Sequence, residues 1–269
     1  MAHKVGFIGV GNMGGALIRS IAKYDKNNSF SLCAFDVNTP LLKELTNEIE
    51  IKEESSVDSL VRNSDIIVLA VKPQYCSNVL EQIKSVLTPD KILVSVAVGL
   101  SIKYYKNIVG DKAKVVRTMP NTPALVGAGM TLVSWDDLIT NDEKQLIIKL
   151  LGYSGRVEEL DERLMSEVTA LTGSSPAYVF ILIEAMADAA VKSGIQRNQA
   201  YRLAAQAVLG SAKMVLDTGK HPGELKDMVC SPAGTTIEAV AALEREGFRN
   251  AIMTAMEECT KRVLEIGKN

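Results

Sequence analysis

The sequence predicts an α/β first half built on a doubly wound parallel sheet, followed by an all-helical second half. Short apolar runs alternate with amphipathic stretches up to about residue 159, and this alternation is typical of a parallel sheet with helices on both faces. From residue 161 onward the apolar residues recur only at helical spacing. We therefore predict two domains, over residues 1–160 and 161–269.

The composition indicates a well-cored soluble protein, because 47% of the 269 residues are hydrophobic and the net charge is −2. Neither nucleic acid nor an anionic membrane is an expected partner. The most apolar stretch, 176–191, contains Glu184 and Asp188 and is expected to be too short and too charged to cross a bilayer. The four cysteines form no C-x-x-C pair and the N-terminus leads straight into a strand, so we expect reduced thiols, no metal, no secretory signal and a cytoplasmic location.

The first element is a buried strand over residues 4–8 that turns into a helix over residues 15–24. Between them lie Gly9, Val10, Gly11, Asn12, Met13 and Gly14. Gly9 permits a tight turn, Gly11 allows a pyrophosphate to approach the backbone, and Gly14 lets the helix pack on its strand. This context makes the G-x-G-x-x-G pattern a predicted dinucleotide site at the helix N-terminus of a Rossmann-type sheet.

The second strand, residues 30–35, ends at Asp36, where dinucleotide folds place the group that meets the adenosine ribose. A carboxylate there accepts hydrogen bonds from the ribose hydroxyls of NAD and repels the 2′-phosphate of NADP. Asn38 and Thr39 could donate to such a phosphate, so these residues leave the choice of cofactor open. An alternative is that Asp36 only caps a helix over residues 40–47.

The clearest buried strand, residues 65–71, ends at Lys72 and Pro73. Lys72 therefore lies at the carboxyl end of the sheet, where open α/β sheets bind ligands; a solvated lysine is an equally good interpretation. A helix over 74–87 and a strand over 92–96 lead to Ala97, Val98 and Gly99, which are small enough for a close backbone approach. Further strands are predicted over residues 115–119, 126–133 and 155–159.

The second half is predicted to contain a helix over 162–171 and a break over 172–176, with Ser175 as an N-cap and Pro176 at the first helical position. The next helix, 177–193, is apolar nearly all round and must be covered on every side. So small a domain has little material for that cover, and we therefore expect an obligate dimer. Helices are also predicted over 199–216, from His221–Pro222 onward, and over 248–266.

A second stretch that could carry chemistry is Ser231-Pro232-Ala233-Gly234-Thr235-Thr236. Thr235 and Glu238 have the spacing of a capping box for a helix that runs to Glu246. Two hydroxyl groups, a glycine and a free helix N-terminus would form a cradle for a carboxylate. A well-capped helix start without a ligand is the alternative.

The remaining residues favour hydride transfer, which needs placement of the reactants more than reactive side chains. Both histidines, His3 and His221, are interpreted as structural, and the sequence contains neither a metal-ligand cluster nor a Gly-x-Ser-x-Gly elbow. These observations predict a nicotinamide-dependent reductase of a small acid.

Five motifs occur in order along the chain: Gly9–Gly14, Ala70–Pro73, Arg117–Pro123, Gly173–Tyr178 and Ser231–Ile237. Together they resemble the pyrroline-5-carboxylate reductase family, whose members catalyse the last step of proline synthesis, and the resemblance covers essentially the whole chain. One departure is Ala233, where the family usually has a second glycine.

The resemblance implies reduction of 1-pyrroline-5-carboxylate to L-proline, with NADPH as the cofactor and NADH as a possible substitute. For the cofactor it implies the glycine loop, Asn38, Thr39, Ala70, Val71, Lys72, Pro73 and Ala97. For the substrate it implies Glu162, Ser231, Gly234, Thr235 and Thr236, with Thr236 expected to be catalytic by placing the substrate carboxylate. It also implies a homodimer formed by the helical domain, which assembles in some members into a ring of dimers.

Two other functions remain as alternatives. A β-hydroxyacid dehydrogenase would need a lysine on the first long helix with an asparagine one turn later, and here Lys192 is followed at that spacing by Gln196. A non-catalytic protein that senses the nucleotide would not need the Thr235–Thr236 cradle.

Overall fold

A computed structural model describes residues 2–266 of the chain. The chain forms two compact units. The first unit comprises the chain up to Ser174 together with the residues from Cys259 onward, and the second comprises Ser175–Glu258. The second unit is thus an insertion in the sequence of the first.

The first unit contains one eight-stranded sheet. Its strands are β1 (His3–Ile8), β2 (Phe30–Phe35), β3 (Lys52–Glu53), β4 (Ile66–Leu69), β5 (Ile92–Ser95), β6 (Lys114–Met119), β7 (Gly129–Trp135) and β8 (Gly155–Glu159). Their order is β3-β2-β1-β4-β5-β6-β7-β8. The strands from β3 to β6 are parallel, β7 is antiparallel to β6, and β8 is parallel to β7. The predicted doubly wound sheet is confirmed, and its order reverses direction between β1 and β4.

Helices cover both faces of this sheet. They are α1 (Asn12–Tyr24), α2 (Thr39–Glu48), α3 (Val57–Arg62), α4 (Pro73–Ile83), α5 (Ile102–Val109) and α6 (Asn141–Gly152). Strand β4 shows why both faces are buried: Ile66 and Val68 belong to one hydrophobic core, while Ile67 and Leu69 belong to the other. A strand that is buried on both faces is apolar at successive positions, and the sequence of β4 is such a continuous apolar run.

The second unit is helical. It contains α7 (Ser175–Lys192), α8 (Arg197–Thr218), α9 (Pro222–Val229), α10 (Thr235–Arg245) and most of α11 (Phe248–Ile266), whose residues from Cys259 onward belong to the first unit. On α7, Ala187 is fully buried, but Phe180 and Ile181 are 60% and 65% exposed. A single chain therefore leaves large apolar side chains of this helix in contact with solvent, and such a patch marks an interaction surface.

Three predicted elements near the middle of the chain are wrong in detail. The helix predicted over 162–171 is replaced by a 3₁₀ turn (Glu162–Leu164) and a π-helical turn (Thr169–Gly173). The strand predicted from residue 126 begins at Gly129, because Gly127 is left-handed with φ of 72° and ends a preceding 3₁₀ turn. The predicted break over 172–176 is nearly closed, because the π-helical turn reaches Gly173 and Ser175 is the first residue of α7 rather than its N-cap.

The helical stretch Thr169–Lys192 meets the length and composition requirements of a membrane-crossing helix, contrary to the expectation for residues 176–191. Of its most apolar window, 17% is buried. The same test is met by core helices of soluble proteins, so length and composition alone do not decide what covers this helix.

Candidate active site

The glycine loop joins β1 to α1 with the geometry that an anion site requires. Gly9 has φ of 97°, and a Cβ at Gly14 would lie 2.2 Å from the carbonyl oxygen of Gly9. A Cβ at Gly11 would meet no atom within 4 Å, so the space in front of this residue is open. Gly11 is the N-cap of α1 and offers no side-chain hydrogen bond, which leaves the first N–H groups of α1 without an internal acceptor. These residues fit the pyrophosphate of a dinucleotide.

Asp36 connects the glycine loop to the loop after β2. Its Oδ2 accepts a hydrogen bond from the Val10 N–H at 2.7 Å, and its Oδ1 accepts one from the Asn38 N–H at 2.8 Å. The N-cap of α2 is Asn38, whose side chain accepts from the Leu41 N–H. The alternative that Asp36 caps this helix is therefore wrong, and the carboxylate holds the two loops in place instead. The side chains of Asn38 and Thr39 are exposed beside it.

The ends of β4 and β5 lie next to the glycine loop. The Ala70 N–H donates to the Ile8 oxygen at 2.8 Å, and a Cβ at Gly9 would lie 2.6 Å from the Ala70 oxygen. Lys72 is the N-cap of α4, with an exposed side chain, and Pro73 follows at the first helical position. Val71 and Ala97 follow β4 and β5 at the same edge. The sheet thus brings the predicted cofactor residues together at the carboxyl ends of its parallel strands.

A cavity of about 510 Å³ opens at this edge of the first unit. Its lining comprises Met13, Val96, Val98, Met119, Pro120, Asn121, Thr122, Thr169, Gly173, Ser174, Cys259, Arg262 and Val263. Met13 was among the predicted site residues, whereas the others were not. The turn after β6 lies at a strand end and belongs to the family motif Arg117–Pro123, although no site role was predicted for it. The last three residues come from the end of α11 and carry no local signal.

Asn121 fixes the wall of this cavity on the side of β6. Its Nδ2 donates to the Thr172 oxygen at 3.0 Å, and its Oδ1 accepts from the Met130 N–H at 2.9 Å. On another side the Cys259 thiol donates to the Ser174 hydroxyl at 3.1 Å. Side chains therefore connect the segments that line the cavity.

The Glu162 side chain contacts the N-terminus of α5. Glu162 is not among the residues that line this cavity. Its Oε1 accepts from the Ile102 N–H at 2.6 Å and lies 3.3 Å from Nη1 of Arg117. Arg117 is only 7% exposed, so its charge needs the carboxylate nearby. Glu162 thus satisfies a helix N-terminus and a nearly buried guanidinium in this structure; a direct role toward the substrate stays a prediction.

Two titratable groups near the edge of the sheet stay neutral at physiological pH. Burial raises the pKa of the Cys76 thiol to about 12, and this thiol faces the Lys72 oxygen at 3.8 Å. Burial also raises the pKa of the Tyr105 phenol. Neither group can act as an ionised nucleophile or base. Within residues 2–266 we find no group of three or more His, Cys, Asp or Glu side chains that could hold a metal ion.

In the second unit, the turn before α10 leaves the helix start free. The Gly234 N–H donates to the Ser231 oxygen at 3.0 Å, and Ala233 has φ of 55°. Pro232 followed by a positive φ is the arrangement expected of a type II turn. A Cβ at Gly234 would lie 2.3 Å from the Ser231 Oγ and 3.1 Å from the Ser231 oxygen, so a side chain there would require the Ser231 hydroxyl to move.

The predicted capping box of Thr235 and Glu238 is wrong, because Gly234 is the N-cap of α10 and no side chain caps the helix. Thr235 is the first helical residue, so the preceding turn has shifted the helix start by one position. The N–H groups of Thr235 and Thr236 therefore have no acceptor within the helix. The Ser231 hydroxyl lies next to the same helix start. These residues form the geometry of an anion cradle.

We expect Ala233→Gly to stabilise the protein by about 0.5–1 kcal/mol, because a left-handed conformation strains an alanine more than a glycine. Urea unfolding measures the change. Gly247→Ala is the matched control: its φ is 75° and its Cβ would meet no atom within 4 Å, so it should destabilise through the backbone alone. Equal stability of Ala233→Gly and the parent protein would contradict the assigned strain.

Lys192 and Gln196 do not lie on one helix. Lys192 is the last residue of α7, and Gln196 is the N-cap of α8. The pair that a β-hydroxyacid dehydrogenase would need one turn apart is therefore missing from α7.

Known proteins resemble this chain along its whole length. The pyrroline-5-carboxylate reductase of Escherichia coli (strain K12) is 44% identical over 269 residues, which cover 100% of both chains. The chain belongs to the pyrroline-5-carboxylate reductase family. The family model for pyrroline-5-carboxylate reductase dimerisation matches residues 162–266, and the model for NADP oxidoreductase, coenzyme F420-dependent, matches residues 4–99.

Solved structures of this family have the same fold. A pyrroline carboxylate reductase of Plasmodium falciparum with NADP bound is 33% identical, covers 98% of both chains and has a TM-score of 0.88. A pyrroline-5-carboxylate reductase of Coxiella burnetii is 30% identical, covers 100% of both chains and has a TM-score of 0.90. The family resemblance predicted from the sequence motifs is thus confirmed.

Proposed function

We propose that this chain reduces 1-pyrroline-5-carboxylate to L-proline with a hydride from NAD(P)H. Membership of the family supports this function. The observation that carries the proposal is that two helix starts have a glycine as N-cap and no side-chain cap: α1 begins after Gly11 and α10 begins after Gly234. Both starts can bind anions, and the reaction requires two of them, a dinucleotide and a small carboxylate.

On the cofactor side, the N–H groups of the first turn of α1 bind the pyrophosphate. Gly11 leaves the space that the pyrophosphate needs, and Lys72 contributes a positive charge at the end of β4. Asp36 keeps the glycine loop in its binding conformation through the Val10 N–H. When bound, the reduced nicotinamide supplies the hydride that the reaction consumes.

On the substrate side, the N–H groups of Thr235 and Thr236 and the Thr236 hydroxyl bind the carboxylate. Ser231 and Gly234 shape the turn that leaves these donors free. Thr236 acts as the catalytic residue because it touches the substrate and orients its C=N bond. A protonated imine accepts a hydride readily, and solvent can supply its proton, so the reaction needs no side chain as a general acid.

The direct test is oxidation of NADPH and NADH in the presence of the cyclic imine, with proline identified as the product. We expect oxidation only when the imine is present. Reduction of NAD(P)+ by a β-hydroxyacid in a parallel assay, or nucleotide binding without any imine-dependent turnover, would contradict the proposal and favour one of the alternatives.

We propose NADPH as the cofactor, with NADH also accepted. The Asp36 carboxylate weakens the preference for NADPH, because a negative charge disfavours a neighbouring 2′-phosphate. We expect Asp36→Ser to raise the ratio of kcat/KM with NADPH to kcat/KM with NADH by about tenfold, the factor that corresponds to about 1.4 kcal/mol. Using the ratio cancels any loss from the released Val10 N–H, which affects both nucleotides. Asp58→Ser, on the surface of α3, is the control, and an unchanged ratio in Asp36→Ser would exclude Asp36 as a determinant.

We propose that two copies associate through the helical unit, that these dimers can assemble further into a ring, and that the enzyme works in the cytoplasm. The exposed Phe180 and Ile181 of α7 support self-association, and free thiols at all four cysteines support a reducing compartment. Sedimentation at micromolar concentration should give a dimer or a larger assembly. A stable folded monomer would contradict this proposal without affecting the proposed chemistry.

A further inference from the structure

The turn between β5 and α5 forms one wall of the 510 Å³ cavity. Val96 and Val98 of this turn line the cavity together with Met13, which lies in the first turn of α1. Ala97 stands between the two valines and is itself buried. The position of the Ala97 backbone therefore determines where both valine side chains stand relative to the glycine loop.

A buried pair of hydroxyl groups holds this turn. The Ala97 N–H donates to the Ser95 Oγ at 3.2 Å, and the Ser95 Oγ lies 2.5 Å from the Tyr105 hydroxyl. Ser95 and Tyr105 are both completely buried. Ser95 is the last residue of β5 and Tyr105 lies on α5, so the pair connects the strand, the turn and the helix that follows it.

The Ser95 side chain is not needed to hold the end of β5, because hydrogen bonds to the backbone of Ser95 and from the backbone of Val96 already do so. The Ser95 oxygen accepts from the Thr118 hydroxyl at 2.9 Å, and the Val96 N–H donates to the Leu69 oxygen at 3.1 Å. What the Ser95 hydroxyl adds is an acceptor for the Ala97 N–H, and what Tyr105 adds is a fixed position for that hydroxyl. A buried pair of polar groups whose hydrogen bonds are satisfied makes the surrounding structure rigid and favours one conformation.

We propose that Ser95 and Tyr105 are positioning residues for the nucleotide: their hydrogen-bonded pair fixes the Ala97 amide and so sets the Val96–Val98 wall of the cofactor cavity. This inference rests on the proposed function and takes the cavity, which is lined in part by Met13 of the glycine loop, to receive the nicotinamide end of the cofactor. Neither side chain lines the cavity, so both act through the backbone of the turn.

The test compares Ser95→Ala and Tyr105→Phe in the full-length enzyme. Ser95→Ala removes the acceptor of the Ala97 N–H, and we expect the Kd for NADPH to rise about fivefold. Tyr105→Phe keeps this acceptor but removes the hydrogen bond that fixes the Ser95 hydroxyl, and we expect the Kd for NADPH to rise about threefold. At saturating NADPH the KM for the imine should change less than about twofold, since the imine cradle is made by other residues. The double variant should bind no more weakly than Ser95→Ala alone, because both residues act through one hydrogen-bonded path.

Tyr104→Phe is the matched control, since Tyr104 is the neighbour of Tyr105 on α5 and has no hydrogen bond to Ser95 or Ala97 among the described contacts. It should leave the Kd unchanged. If Ser95→Ala does not fold, Tyr105→Phe alone decides the question. Variants with a lowered Tm and an unchanged Kd for NADPH would overturn the inference in favour of a purely structural pair. A different result is also decisive: the variants show the expected changes in Kd for NADPH, but the parent protein does not reduce the imine. That result would support the inference and contradict the proposed function.

Discussion

Gly11→Ala is expected to weaken nucleotide binding by about 10- to 100-fold, because inserting a methyl group into a close contact costs about 1–3 kcal/mol. The fold should not change, because Gly11 has φ of −59° and an added Cβ would meet no atom within 4 Å. Any loss of affinity would therefore report on a ligand approaching the open space in front of the loop. A titration with NADPH and a thermal melt measure the two properties separately.

Two further glycines serve as controls for this prediction. Gly14→Ala would place a Cβ 2.2 Å from the Gly9 oxygen, so it should lower the Tm as well as the affinity. Gly152→Ala, at the end of α6, would meet no atom within 4 Å; it should leave the affinity unchanged and should not lower the Tm, because alanine favours a helix more than glycine does. If Gly11→Ala bound NADPH as tightly as the parent protein, the pyrophosphate would have to lie elsewhere.

Thr236→Ala is expected to raise the KM for the imine by about 10- to 100-fold, because a hydrogen bond to a charged group is worth about 1.5–3 kcal/mol. The Kd for NADPH should stay within about twofold, since the residues proposed to bind the nucleotide are different. Thr236 lies in the first turn of α10, where its hydroxyl and its N–H can bind the same carboxylate. Steady-state kinetics with each substrate varied in turn provide the comparison.

Thr235→Ala is the matched neighbour for Thr236→Ala. Only the backbone N–H of Thr235 is proposed to bind the carboxylate, and this substitution preserves it. We therefore expect a rise in KM for the imine several-fold smaller than that of Thr236→Ala. Equal increases in the constants for imine and nucleotide in Thr236→Ala would remove Thr236 from the cradle.

The sequence was most informative where the structure is decided by neighbouring residues. The strand β1, the glycine loop and α1 follow from apolar runs and from glycines whose close contacts lie within a few residues, as for Gly14 and Gly9. Strand β4 was equally clear, because a strand buried on both faces leaves a continuous apolar run. The edge strand β3 consists of only two residues, both of them exposed, and so has no such apolar run.

Features decided by distant or competing contacts could not be predicted. The spacing of Thr235 and Glu238 fits a capping box, yet the positive φ of Ala233 places Gly234 at the cap. The apolar spacing over 162–171 fits a helix, yet Glu162 accepts a hydrogen bond from the N-terminus of α5 and pairs with Arg117. The wall of the cavity that α11 supplies depends on tertiary folding alone.

The return of the chain to its first unit after Glu258 has a consequence for biosynthesis. Cys259, Arg262 and Val263 complete the cavity wall, and they are translated after the whole helical insertion. A nascent polypeptide can therefore form the glycine loop and most of the sheet early, but it completes the cavity wall only after the helical insertion has been translated. Removing the residues from Cys259 onward should consequently weaken NADPH binding even though the glycine loop is unchanged.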